Sequence, residues 1–372
     1  MTGVALLDRS AMLPSSIAEL TPDWLTDALR PSGVLGAGGR VTGVRADDIG
    51  TGVGVFGIIA RLHLTYEGAP PDAPARLIAK IPTDAEANRQ VGLVLRLYER
   101  EGRFYREVAD SVSFRVPRCY LSEIDADQGR FVILMEDMGH LEEGDQLAGI
   151  TPARAGAVLD ALAAFHATWW ESPRLAELDW VPVQNDPIYV AAVPPIVSAG
   201  VAALARFDGA LPDGSMVLAQ RVDGAFVELT HRCAAGPHTF VHGDARLDNL
   251  FFTPGTDEFA LIDWQLSLRN RGVYDLVWLL ATSMNVEDQA VHVPELVRRY
   301  HRALEAHGVR WSFDDLRRAA AEQSAYLLSG PLSLIGTFDF AEAGDGRAAA
   351  LTRKWVARGF NVALLLGAGD VL

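Results

Sequence analysis

Cysteine is scarce. The chain has two, Cys119 and Cys233, and no Cys-X-X-Cys spacing. That excludes a disulfide framework and fits a reducing, cytoplasmic setting. The N-terminus, MTGVALLDRSAM, lacks a basic region leading into an apolar run, so no signal peptide is expected. Membrane-length apolar runs are missing too: even PIYVAAVPPIVSAGVAALA is expected to break at Pro194-Pro195. Positive charge is in deficit, with 33 basic against 48 acidic residues and a net charge of −15. That argues against nucleic-acid partners and against anionic membrane surfaces. No repeat of fixed period is present. What remains is 372 residues of ordinary globular composition, 49% hydrophobic and 22% charged. This is enough chain for two lobes, each with its own core.

Polar groups of chemical interest gather between Val241 and Gln265. Thr239-Phe240-Val241 is apolar, and His242-Gly243-Asp244 then turns. Asp244 can accept a proton from an attacking hydroxyl or orient it during in-line transfer to phosphorus. Asn249, five residues on, offers a neutral oxygen suited to magnesium. Leu250-Phe251-Phe252 and Phe259-Ala260-Leu261-Ile262 read as a hairpin that carries Asp263 towards Asn249. Few, hard oxygen ligands, completed by phosphates and water, are what magnesium takes. His242 reads as a brace for this loop. Arg246 could meet a phosphate or lie solvated on the surface, and Asp248 has no assigned role.

Upstream, Thr21-Pro22-Asp23 starts a short helix. Gly52, Gly54 and Gly57 spell G-X-G-X-X-G. A dinucleotide-binding turn would open a helix there. Instead Ala60, Leu62, Leu64 and Tyr66 alternate with Arg61, His63 and Thr65, which is a strand. The glycines then join two strands, either as a phosphate-covering hairpin or as a plain glycine-rich turn. Lys80 lies in a third strand, Arg76 to Pro82. A lysine in a strand ordinarily faces solvent. The expected helix from Asn88 to Ala109 has an apolar arc of Leu93, Val94, Leu97, Tyr98, Phe104, Tyr105 and Val108, and a charged arc that includes Arg96 and Arg100. Glu101 is the one charge in the apolar arc. A carboxylate facing a core needs a cation, and Lys80 is the nearest candidate in sequence. A strand lysine paired with a helix glutamate is how kinases fix the amine that grips the α- and β-phosphates.

Arg130 to Met135 reads as a buried strand. Residues 135–139 then form a hinge between a first lobe, 1–137, and a second, 138–372. Adenine would be held by backbone groups of this hinge, Glu136 and Met138 among them. The second lobe reads as mainly helical, with helices opening at Pro152, near Gly214, at Gly272, at Ser312 and near Arg347. His166 and Asp275 read as structural. Asp339, Glu342 and Asp345 form either a solvated acidic loop or a receptor for a cationic substrate.

The segments HGDARLDN and LIDWQ resemble the catalytic and metal motifs of the aminoglycoside-phosphotransferase-like small-molecule kinases. That group includes choline and ethanolamine kinases, homoserine kinases of the same fold and ecdysteroid-kinase-like proteins. The resemblance runs from about Asp48 to Leu280. It implies an α+β, bilobal, protein-kinase-like fold, with an antiparallel sheet plus helix first and a mainly α lobe second. It also implies ATP- and Mg2+-dependent phosphorylation of a small-molecule hydroxyl. Catalysis would fall on Asp244, metal binding on Asn249 and Asp263, and phosphate anchoring on Lys80 with Glu101. Arg246 stands where the ecdysteroid-kinase-like branch carries Trp. Two rivals are a nucleotide-binding module without turnover and a dinucleotide-dependent oxidoreductase using Gly52, Gly54 and Gly57.

Overall fold

The computed structural model describes residues 13–49, 56–125, 129–207, 209–337 and 346–372. Gly52 and Gly54, and the acidic residues Asp339, Glu342 and Asp345, lie outside the described residues. The chain divides into two compact units, Met1–Leu141 with Ile262–Leu266, and Glu142–Leu261 with Ser267–Leu372. The first unit runs to Leu141 and includes a short segment from far downstream.

The first unit begins with α1 (Pro22–Leu29), where the Thr21 hydroxyl accepts from the Trp24 amide at 3.3 Å. Five strands follow among the described residues: β1 (Arg40–Asp48), β2 (Gly57–Glu67), β3 (Arg76–Pro82), β4 (Cys119–Asp125) and β5 (Arg130–Glu136). They form one antiparallel sheet in the order β1-β2-β3-β5-β4. A strand, not a helix, follows Gly57, as the alternation predicts. Period two then sorts β3 onto two faces. Leu77, Ala79 and Ile81 join Val132 and Leu134 of β5 in a core with Leu25, Ala28 and Leu29 of α1. Lys80 points the other way, across from Ile59 and Ile133.

The single helix expected over 88–109 is two helices, α2 (Glu86–Val94) and α3 (Leu97–Glu107). The break is Arg96, which sits in the left-handed region at φ 55° and ψ 30°. That conformation costs a non-glycine residue about 1–2 kcal/mol. Its side chain is held in place by Glu99, at 2.7 and 2.9 Å. The break rotates α2 out of the arc: Val94, expected to be buried, is 60% exposed. Arg100, expected on the charged arc, is buried and donates to the Leu95 carbonyl at 2.6 Å.

The second unit comprises β6 (Glu142–Glu143), α4 (Pro152–Trp169), α5 (Arg174–Glu177), α6 (Pro187–Leu204), α7 (Ser215–Cys233), β7 (Thr239–Val241), β8 (Leu250–Phe252), β9 (Phe259–Leu261) and β10 (Leu268–Asn270). After these come α8 (Val273–Ser283), α9 (Val286–Ala306), α10 (Phe313–Leu327), α11 (Ser329–Thr337) and α12 (Arg347–Leu365). The hairpin expected before Asp263 is present, with Leu250 paired to Leu261. Phe240 of β7 sits among Phe165, Trp169 and Trp180, with ring centroids 5.8–5.9 Å away. This fixes the strand that launches the His242-Gly243-Asp244 loop.

The expected break at Pro194-Pro195 does not occur; both prolines lie inside the continuous α6. Proline removes helix hydrogen bonds, but its fixed φ is helical, and packing against α7 and α11 holds the helix. At Gly200 a Cβ would fall 2.2 Å from the Leu332 carbonyl oxygen, so only glycine permits this approach to α11. Among the described residues, α6 is the one helix long and apolar enough, by length and composition, to cross a membrane.

Candidate active site

In the first unit, the face of β3 opposite α1 carries Lys80 against α3. Its ammonium donates to Glu101 Oε2 at 2.5 Å, to Asp263 Oδ1 at 3.0 Å and to Gln265 Oε1 at 3.4 Å. Lys80 is 6% exposed and Glu101 2%. The pairing inferred from the helical arc is therefore a contact in the fold. Asp263 adopts a left-handed backbone, φ 64°, which Asp tolerates better than most residues. The segment is pinned next door by Trp264, stacked on Phe104 of α3 with centroids 3.7 Å apart and planes 7° from parallel. Gln265 Nε2 donates to Asp263 Oδ2 at 3.1 Å. One amide thus joins the amine and the carboxylate.

Two carboxylates compete for one buried ammonium. Burial alone would depress the Lys80 pKa, but Asp263 and Glu101 outweigh it and hold it above the ordinary lysine value. Burial pushes the Glu101 carboxyl up to about 7; Lys80 pulls it back and the like charge of Asp263 adds to the rise.

The hinge residues have other partners. Glu136 accepts from Arg115 at 2.5 Å and from the Arg118 amide at 3.2 Å, while its own amide donates to the Arg118 carbonyl. Met138 is buried.

In the second unit, the loop after β7 is stitched by neutral donors. The amides of His242 and Gly243 donate to the two oxygens of the fully buried Asp275, at 2.7 and 2.9 Å. Gly243 has φ 83°, which suits glycine and permits the turn. His166 and Tyr300 complete the support: the imidazole lies 3.1 Å from Asp275 Oδ2 and 2.7 Å from the tyrosine hydroxyl. His242 Nδ1 accepts from the Asp244 amide at 3.0 Å, which is the bracing role expected of it.

The Asp244 carboxylate accepts from Trp278 Nε1 at 2.8 Å on Oδ1, and from Asn249 Nδ2 at 3.0 Å and Arg246 Nε at 3.1 Å on Oδ2. Asn249 Nδ2 also donates to the Asp244 carbonyl at 2.8 Å. Because both of these partners are acceptors, the amide nitrogen must face them, which turns Asn249 Oδ1 the other way. Arg246 is not a solvated surface residue. It is tied to Asp244, to Gln146 Oε1 at 3.2 Å and to Asp248 at 3.5 Å.

The sequence matches the phosphotransferase enzyme family over residues 63–321. The chain belongs to that family. No functionally curated protein matches it. Among solved structures it is similar to the amicoumacin kinase hAmiN in complex with AMP-PNP and Ca2+, with 13% identity and a TM-score of 0.51 over 89% of this chain and 92% of that one. It is also similar to a macrolide 2′-phosphotransferase type I, at 16% identity and a TM-score of 0.47 over 93% and 99% of the two chains. A Plasmodium vivax ethanolamine kinase gives 12% identity and a TM-score of 0.47 over 87% and 81%. The phosphotransferase has the α+β, protein-kinase-like fold of this family, as the motifs imply.

Two residues of the phosphotransferase that touch these clusters escaped the sequence reading. Gln265 meets Lys80 across 185 positions, a separation that leaves no local signal. Trp278 lies three residues after Asp275 in α8, on the same helical face, and that i,i+3 spacing was its one signal.

Proposed function

We propose that this phosphotransferase moves the γ-phosphate of ATP to a hydroxyl of a small molecule, with magnesium. The observation that carries the reading is the Lys80 ammonium, held by Glu101 of α3 and by Asp263 on the segment after β9. A buried amine fixed in this way is suited to gripping α- and β-phosphates. Gly52 and Gly54 would cover the phosphates, and the backbone at Glu136 and Met138 would read the adenine edge.

Asp244 would receive the proton of the attacking hydroxyl, or orient that hydroxyl by accepting its hydrogen bond. Its three donors fix the carboxylate's plane, so the oxygens are aimed before the acceptor arrives. Asn249 Oδ1 and the Asp263 carboxylate are the oxygen donors that would hold magnesium. This is a hard, sparse set of the kind the ion takes when phosphates and water complete its shell. Bound there, magnesium would offset phosphate charge.

The test uses the chain's two lysines, Lys80 and Lys354. An acyl-phosphate derivative of ATP should acylate Lys80, and excess MgATP should block it; mass spectrometry reads both. Labelling of Lys354 alone, or labelling that MgATP leaves unchanged, would sink the nucleotide site. Phosphate transfer to a mixed alcohol panel should fall about 10²–10⁴-fold in Asp244→Asn. Equal transfer by the variant would leave a nucleotide-binding module as the better reading.

A further inference from the structure

Arg246 and Asp248, the two charged side chains that follow Asp244, are gripped by the same residue. Gln146 Oε1 accepts from Arg246 Nη1 at 3.2 Å, and the Gln146 amide donates to Asp248 Oδ1 at 2.8 Å. Gln146 sits in the turn between β6 and α4 and is fully buried. Its other polar groups are met as well. Nε2 donates to the Thr282 carbonyl at 3.1 Å, and the main-chain carbonyl accepts from Arg358 Nη1 at 2.6 Å. A donor at one end of the side-chain amide and an acceptor at the other settle which way it faces. At Gly144 a Cβ would fall 2.1 Å from the Leu247 carbonyl oxygen, so glycine lets this turn lie against the loop after β7. From behind, the turn is held by α12. Arg358 is buried and donates to the carbonyls of Gln146 and Thr282 and to Asn285 Oδ1. Lys354 donates to the Leu147 carbonyl at 2.7 Å, and Arg347 to Asp145 Oδ1 at 2.8 Å. Their spacing puts these three cations on one face of the helix. A buried guanidinium is costly unless its donors are met, so Gln146 cannot withdraw without exposing that cost.

We infer that Gln146 is a positioning residue for the phosphate transfer: it fixes the Arg246 guanidinium and, through it, the Asp244 carboxylate. This rests on the reading of Asp244 given above. Arg246 Nε lies 3.1 Å from Asp244 Oδ2. A guanidinium is a planar fork. Contacts through Nε to Asp244 and through Nη1 to Gln146 fix its plane as well as its distance. Asp248 adds a longer contact, 3.5 Å, and is itself held by the Gln146 amide. A neutral amide does this without placing a further negative charge beside Asp244, which a carboxylate at the same position would do.

The first readout needs no acceptor. Trp278 Nε1 donates to Asp244 Oδ1 at 2.8 Å, so its ¹⁵N-indole signal, assigned by its loss in Trp278→Phe, follows the carboxylate. In the full chain, Gln146→Met should move that signal and speed exchange of the Arg246 Nε–H at least about tenfold. The indole shift should vanish when Arg246→Ala is already in place, because the effect travels through the guanidinium. Gln289→Met is the matched control. Gln289 is equally buried in the same unit, and its Nε2 donates to the Met284 carbonyl at 3.0 Å. Its loss should move neither signal, whereas an effect of lost packing alone would appear in both variants. With MgATP, transfer to the mixed alcohol panel should fall about tenfold in Gln146→Met at an unchanged KM for MgATP, and by less than about twofold when added to Arg246→Ala. If Gln146→Met does not fold, Arg246→Ala reads the contact from the other end. The Gln146 side-chain amide signal should then move more than that of Gln289, and an unmoved signal overturns the inference. So does an unmoved Trp278 signal in Gln146→Met, an equal movement with Arg246→Ala in place, or the same response from Gln289→Met. Any of these beside MgATP-protected labelling of Lys80 leaves phosphotransfer standing. Failure of that protection removes both.

Discussion

The Lys80 cluster and the Asp244 loop solve the same physical problem, a polar group out of water, by opposite means. Around Lys80 the balance is ionic: one ammonium and two carboxylates, with Glu101 raised by burial and by the neighbouring Asp263. Around Asp244 and Asp275 the carboxylates are met largely by neutral donors, two backbone amides, an indole and an amide, with the Arg246 guanidinium also on Asp244. An ionic cluster with an excess carboxylate depends on protonation and on added cations. A network of fixed amide and indole donors depends mainly on geometry. The first arrangement suits a place where charged phosphates and a metal would arrive, and the second a carboxylate whose direction must be fixed.

The contrast breaks most visibly at Lys80. Lys80→Met leaves Glu101 and Asp263 together without their cation, and removing one member of a buried ion pair costs about 3–5 kcal/mol. Urea unfolding should show a loss of that size at pH 8 and a smaller one at pH 6, where Glu101 can take a proton. A loss that is the same at both pH values would mean the cluster is not electrostatic. Glu101→Gln sharpens the same point from the carboxylate side. The folded protein holds the Glu101 proton more tightly than the unfolded chain, where a glutamate carboxyl sits near its ordinary value of 4.5. That contribution to stability is complete below 4.5 and is lost as pH rises through about 7. The stability difference, wild type minus Glu101→Gln, should therefore fall with rising pH over this window, by up to roughly 3 kcal/mol. A flat difference would refute the raised carboxyl.

In the second unit the corresponding probe is Asp275→Asn. The amide keeps the size but offers one acceptor where two backbone amides and His166 now meet two oxygens. Leaving a buried donor unsatisfied costs about 1–3 kcal/mol. Thermal unfolding should register that loss, with the loop's backbone amides exchanging faster. Unchanged exchange at His242 and Gly243 would mean the loop holds itself.

How much of this was legible in the sequence follows from the same chemistry. Glu101 could be found because a lone charge in an apolar arc demands a partner, and Lys80 was the nearest candidate in sequence. The loop HGDARLDN and the hairpin to Asp263 were legible because their residues are local. The break at Arg96 was not, since an arginine in the left-handed region has no compositional mark; the arc drawn across it misplaced Val94 and Arg100. Arg246 was misjudged because one of its partners is distant: Gln146 lies 100 positions away. Trp278 was hidden by its neighbours. In an apolar helix an aromatic reads as core, and the ring is core; only its N–H is not.

The smallest expected effect belongs to Gln265, the neutral member of the ionic cluster. Its carbonyl lies 3.4 Å from Lys80, at the weak end of hydrogen bonding, and its amide donates to Asp263 at 3.1 Å. The side chain is only half-buried, so water can replace part of what it supplies. Gln265→Leu should therefore cost about 1 kcal/mol, and that cost should stay constant between pH 5 and pH 8, as for a member of the neutral network. A loss of the Lys80→Met size, or one that grows with pH, would show that Gln265 shares in the charge balance. The division between an ionic cluster and a neutral one would then have to be redrawn around it.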